Sequence, residues 1–205
     1  GPKEAATNIR QALAMGGDDG LLFHADDESL DGDLVARALA KVVETQKPDL
    51  VVLGKQAVDG DSNQVGQILA ELLDWPMATF AATLQEEAGA LLVGREVDGG
   101  VATLRVKLPA VVTVDLRIVA PTSVYSLKTA RTFKYNDGVR FAALPAIMAA
   151  KKKPLTEVKL ADLAADTALK VHYGSFQAPP ARKAGIKVKD VAELVSRLKD
   201  EAKAL

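Results

Sequence analysis

The stretch Val51–Gln67, VVLGKQAVDGDSNQVGQ, decides how the rest of the chain is read. With Asp49 and Leu50 ahead of it, DLVVLG is an apolar run of strand length, the pattern of a parallel strand covered on both faces. The run halts at Gly54 and gives way to a polar loop with Asp59, Asp61, Asn63 and Gln64. From Asn63 the residues QVGQILAELL take up a helical pattern. Strand, loop and helix in this order form half of a βαβ unit, and ligands of open α/β sheets sit beyond the carboxyl ends of the strands. A helix N-terminus there offers unpaired N–H groups to a phosphate. Asn63 and Gln64 add amide donors and acceptors, and Gly54 and Gly60 permit close backbone approach. Asp59 and Asp61 would repel a phosphate, so they belong to the hold on the loop or to a ribose hydroxyl. From these residues alone, a nucleotide cradle and a plain surface turn both stand.

The flanking sequence extends the pattern. EAATNIRQALAMGG places Ala5, Ala6, Ile9, Ala12 and Leu13 on one helical face and stops at a glycine pair. LLFHA reads as a short strand. DLVARALAKVVETQ is a second amphipathic helix, with Leu34, Val35, Ala38, Leu39, Val42 and Val43 inward, ended by Pro48. Helices alternating with short apolar strands predict an α/β fold, a βαβ layered domain with a parallel sheet. ATFAATLQ and LLVGREV, separated by an acidic loop, then break the rhythm. Asp98-Gly99 joins the second run to VATLRVKL, where Ala102, Leu104, Val106 and Leu108 alternate with Thr103, Arg105 and Lys107. That is a hairpin signal, so an antiparallel excursion is grafted onto the parallel sheet. AVVTVDL is a further buried strand. Pro179-Pro180 marks an extended arm, and DVAELVSRLKDEAKAL ends the chain as a helix with Asp190 and Glu193 spaced as a capping box.

Composition excludes several chemistries. The 205 residues carry 48% hydrophobic and 26% charged side chains at a formal net charge of −1, a globular profile without general attraction to nucleic acid. There is no cysteine, which removes disulfides, thiolate nucleophiles and Cys-based metal sites. His24 and His172 lie far apart, so a His-rich metal site is not expected. No apolar run has membrane-spanning length, and direct membrane insertion is not expected. No Ser or Lys has an activating neighbour of the kind nucleophilic catalysis requires. His24 reads as a surface or half-buried residue, His172 as a strand residue, and Lys151–Lys153 as a solvated helix end. Leu144, Ile147 and Met148 are either core at helical spacing or an exposed apolar plug ringed by charge; composition favours core.

LGKQAVDGDSNQVGQ, LLDWPMATFAATL, REVDGG, LRVKLPAVVTVDLR and ALPAIMAAKKK occur together and in order. In combination they resemble the small (beta) subunit family of electron transfer flavoproteins, from GPKEAATNIRQALAMG to the last helix. The resemblance implies a Rossmann-like three-layer parallel sheet of the adenine-nucleotide-binding type, and a non-catalytic electron-carrier subunit bound to a larger alpha subunit that holds most of one FAD. Electrons would come from acyl-CoA and related dehydrogenases and pass to a membrane quinone oxidoreductase. It also implies a structural AMP. The family's AMP loop matches Gly54, Lys55, Gln56, Ala57, Val58, Asp59, Gly60, Asp61, Ser62, Asn63, Gln64 and Val65. Its recognition loop for dehydrogenases matches residues 140–149, with Leu144 as anchor beside Pro145, Ile147 and Met148, which reverses the preference for core. The glutamate tied to interdomain motion and electron transfer falls on Glu96. Lys152 matches a methylated lysine of some members, while the neighbouring modified position is Ala149 here. The implied division is a nucleotide-binding domain over residues 1–153 and, over 154–205, an arm and helix packing on the partner subunit. The mitochondrial matrix is the implied compartment, with bacterial cytoplasm as the alternative.

Three departures qualify the resemblance. The family's opening strands have no counterpart ahead of Gly1, so a piece of a longer chain is expected. The family's DDDxNQT reads DGDSNQV at Asp59–Val65; Gly60 and Val65 are also found in the bifurcating branch, where a second FAD replaces AMP. Residues 122–139 are an insertion whose Tyr125, Lys128, Arg131, Phe133, Lys134 and Tyr135 either extend partner contacts or form a plain surface loop. A plain nucleotide-binding module remains the third reading.

Overall fold

In the computed structural model the described residues are 1–130, 132–162, 166–182 and 184–205. Helix α1 (Ala6–Ala14) buries Leu13 and leaves Ala12 exposed, so its apolar face is narrower than the spacing implies. Strand β1 (Gly20–His24) follows. Helix α2 (Gly32–Gln46) starts where Asp31 accepts the Leu34 N–H at 2.7 Å, and ends at Lys47 in the left-handed region. Ala36 and Ala40 join Leu34, Ala38 and Val43 in its buried set, because the helix is covered on more than the one face predicted.

Strand β2 (Leu50–Gly54) leads to α3 (Val65–Leu73), two residues later than the pattern suggested. Strands β3 (Met77–Glu87), β4 (Ala90–Val97) and β5 (Gly100–Lys107) form the antiparallel excursion. Glu86 and Glu87 lie inside β3, so the acidic loop expected there shrinks to Ala88-Gly89. The Asp98-Gly99 turn pairs Val97 with Gly100 and uses Gly99 at φ 87°. Strand β6 (Ala110–Val114) then inserts between β2 and β3, parallel to both, and β7 (Val124–Tyr125) adds to β3.

The result is α/β with a mixed six-stranded sheet in the order β2-β6-β3-β4-β5, β7 lying off β3. Side chains of β6 alternate between two cores, as a period of two requires. Val111 meets Ala36, Ala40, Leu69 and Ala70 of α2 and α3, while Ala110 and Val112 join Ala78, Leu91, Val93 and Val106. The alanines let the two helices approach closely. β2 sits at the sheet edge rather than under two covered faces, and Val52 is 52% exposed.

Beyond the insertion come α4 (Leu144–Ala150) and β8 (Leu155–Lys159), which pairs in parallel with β1 in a separate two-stranded sheet. The chain clusters into two units, Gly1–His172 and Tyr173–Leu205, so β8 lies in the first. His172 is exposed and outside any strand, against expectation, whereas His24 is half-buried and bonds Glu157 at 2.8 Å. In the second unit, α5 (Val191–Asp200) is capped by Asp190, which accepts the Glu193 N–H, and Glu193 accepts the Lys189 N–H in return.

Candidate functional site

The loop after β2 is shaped by its own polar side chains. Lys55 N–H donates to Val114 at 3.0 Å, carrying the sheet register one residue past Gly54. Asp61 N–H then reaches back to Ala57, Gln56 donates to the Asp61 carboxylate, and Asp59 accepts the N–H of Gly60. Both acids hold the loop. Ser62 donates to Gly60 at 3.3 Å, and Val58 is exposed. The left-handed positions are Asp61 and Asn63, at φ 51° and 49°, and not the glycines; short polar side chains tolerate that region best after glycine. At Gly54 an added Cβ would meet nothing within 4 Å, so the space beside the backbone is open.

Below the loop, α3 begins after Gln64 without any side-chain cap. Its first N–H groups therefore keep the donor capacity and partial positive charge of a helix start. Gln67 donates to Asn63 at 2.9 Å through its amide nitrogen, while its Oε1 is buried and has no partner among the described residues. Gly66 lets α3 lie against β6: a Cβ there would come within 2.4 Å of Thr113 Cγ2.

The loop is wired to Glu96 through residues the sequence did not flag. Lys55 Nζ meets Asp115 at 2.7 Å; Asp115 also accepts the Arg117 N–H; and Arg117 pairs with Glu96 at 3.0 Å. The Lys55 ammonium and the Arg117 N–H hold the Asp115 carboxyl below its ordinary value, against the opposing effect of burial. Phe80, at φ 56° beside a register shift in β3, lies under Lys55 and Arg95 at 5.3 and 5.9 Å from its ring centroid. One signal was available: a single acid directly following the buried run AVVTV of β6.

The 140–149 segment forms a separate surface. Pro145 occupies the first turn of α4, where a missing N–H is harmless. Leu144, Ile147 and Met148 are 72, 43 and 54% exposed, so the core reading fails. Opposed cations anchor α4 to α1. Arg10 donates to the carbonyls of Ala150 and Lys153 at 2.8 and 2.6 Å, and Lys153 to those of Leu13 and Gly17 at 2.9 and 2.5 Å. Each cation meets the negative end of the other helix. Of the three lysines read as a solvated end, Lys153 is thus a structural tie, while Lys152 is exposed. In the insertion, Phe133 packs edge-on to Tyr135, and Arg140 lies 3.9 Å over the Tyr135 ring; Arg131 is outside the described residues. No hydrogen bond or ion pair among the described residues joins α4 to the Gly54–Val65 loop.

Residues 1–163 match the electron transfer flavoprotein domain family. The chain belongs to that family. A Bradyrhizobium diazoefficiens electron transfer flavoprotein subunit beta is 47% identical over 205 residues, covering all of this chain and 75% of the relative. The Mus musculus subunit beta is 47% identical over 203 residues, covering 98% of this chain and 72% of its own length. The Arabidopsis thaliana protein, named electron transfer flavoprotein subunit beta, mitochondrial, is 40% identical with coverages of 98% and 74%. Family membership makes this a small subunit of an electron transfer flavoprotein, associated with flavin and with an alpha-subunit partner.

Proposed function

We propose that this chain is the nucleotide-holding and dehydrogenase-docking half of a heterodimeric electron carrier, without catalytic residues of its own. In this reading it binds AMP in the Gly54–Val65 loop. The observation that carries the AMP assignment is the uncapped start of α3 beside open backbone at Gly54, with a buried and unpartnered Gln67 acceptor. Phosphate suits the first, and a ribose hydroxyl or an adenine amino group supplies the donor for the second. FAD, held mainly by the alpha subunit, supplies the redox chemistry when bound. Electrons come from acyl-CoA dehydrogenases docked on Leu144, Pro145, Ile147 and Met148, and leave to a membrane quinone oxidoreductase. The exposure of those apolar residues supports the docking role, because a small apolar plug gives a transient partner a hot spot without a large interface. Glu96 tunes interdomain motion, Lys152 is the candidate for modification, and the arm with α5 packs on the alpha subunit. The related proteins include a bacterial one, a mammalian one and a plant one named as mitochondrial, so bacterial cytoplasm stands beside the mitochondrial matrix.

The experiment is a count of nucleotides released on denaturing the purified heterodimer. One AMP and one FAD are expected. Two FAD and no AMP would replace this reading with the bifurcating type, which Gly60 and the hydroxyl-free Val65 favour. Failure to copurify with a flavin-bearing subunit would leave a plain nucleotide-binding module.

A further inference from the structure

A groove of about 630 Å³ runs between α1 and α4. Ala14 and Met15 line it at the end of α1, Ile147 and Lys151 at α4, and Arg140 and Phe141 in the segment between the insertion and α4. Its large apolar side chains are open to solvent, with Phe141 90% exposed. Its charges are of one sign. Arg10, Arg140 and Lys151 line the groove and no carboxylate does, in a chain with 27 acids and 26 bases. Arg10 is already engaged by helix carbonyls, but among the described residues no carboxylate pairs with Arg140 or Lys151. Arg140 is held in place by the insertion, through the Tyr135 ring beneath it and Phe133 edge-on to that ring.

An apolar floor with a cationic rim selects an occupant that is apolar on one side and acidic along its flanks. We infer that this groove receives an acidic amphipathic helix of a partner protein. Its large apolar residues seat on Met15, Phe141 and Ile147, and its carboxylates meet Arg140 and Lys151, in the manner of helix-in-groove recognition. The inference rests on the reading of α4 as the dehydrogenase-docking element and deepens it. Leu144 projects from this chain into the partner, the groove takes the partner's helix in return, and the insertion acts by fixing Arg140.

The test uses the flavin-loaded heterodimer, titrated with a purified acyl-CoA dehydrogenase at two salt concentrations. Arg140→Glu with Lys151→Glu should weaken docking at least ten-fold and flatten its salt dependence, with flavin content unchanged. Ala14→Trp, which fills the groove, should weaken docking similarly without altering the salt dependence. Because that variant strains α1, the charge reversal on exposed side chains is the deciding one. If Leu144→Ala weakens docking while the charge-reversed heterodimer binds as wild type, the groove proposal is overturned and the docking reading survives. If Leu144→Ala also binds as wild type, both fall. Saturable binding of laurate in the groove, with dehydrogenase docking unaffected, would identify a fatty anion as the occupant and equally overturn the proposal.

Discussion

Asp115 holds two partners with one carboxylate: Oδ2 takes the Lys55 ammonium and Oδ1 the Arg117 N–H, while only 6% of the residue is exposed. Both partners favour the ionised form, so the folded-state pKa lies below the unfolded one. The stabilisation is therefore complete above about pH 4, the unfolded value, and is lost as pH falls through the lower folded value. Asp115→Asn should destabilise the chain by about 1–3 kcal/mol at neutral pH, since Lys55 is left with a weaker partner. The gap to wild type should close in acid, and chemical unfolding at pH 7 and pH 3 checks both statements. An equal gap at both pH values would mean that the ion pair is not what the substitution removes. Asp31 shows the same balance: burial opposes its charge, and the N–H groups of Leu34, Val171 and Lys170 outweigh it. Neither acid was legible as a site: Asp115 acquires Lys55, three intervening strands away in sequence, only when β2 and β6 become neighbours, and Asp31 acquires the N–H groups of Lys170 and Val171 only on folding. Asp59 and Asp61, by contrast, bond within their own loop, one of the two roles that their charge had left open.

Among the elements, α3 is where packing and site meet. Gly66 lies against Thr113, so Gly66→Ala should push α3 off β6 and destabilise the chain by about 1–3 kcal/mol through overpacking. Thr113→Ser deletes the obstructing methyl and keeps the hydroxyl that accepts the Phe80 N–H. The double variant should thus recover most of the loss in thermal unfolding, and additive losses would exclude this contact as the cause. The ties between α1 and α4 are the second case. Arg10→Met should cost about 0.5–2 kcal/mol at the α4 terminus and raise amide exchange there, with β3–β6 unaffected. The sequence pattern captured β5, whose single buried face writes itself into alternation, and β6, which is buried on both faces, through a near-continuous run of Ala and Val. It missed the edge position of β2, since a run of Val and Leu is equally apolar whether its second face is covered or open. It also placed the acids of Glu86-Glu87 in a loop, although strand pairing with β4 carries both of them.

At the scale of the molecule, two helices carry apolar side chains that their own units do not bury. In the first unit the helix is α4, preceded by the exposed Phe141; in the second it is α5, where Val191, Leu194 and Val195 are exposed and no residue is buried. The ten residues of α5 are short for a helix standing alone in water. Its local support is the Asp190 cap and the pairing of Arg197 with Glu193 and Glu201, spaced four residues apart on either side. Such pairs add only about 0.2–0.5 kcal/mol each, so the apolar face needs a partner if the helix is to persist. The sequence announced that face through its spacing, but which surface covers it lies in no residue of this chain. If the alpha subunit covers it, α5 amides should exchange rapidly in the isolated chain and become at least a hundred-fold slower in the heterodimer. Leu194→Asp should then lower heterodimer recovery while leaving the unfolding of the isolated first-unit sheet unchanged. Equal exchange of α5 in both states would show that the alpha subunit does not cover the helix, and would remove α5 from the heterodimer interface.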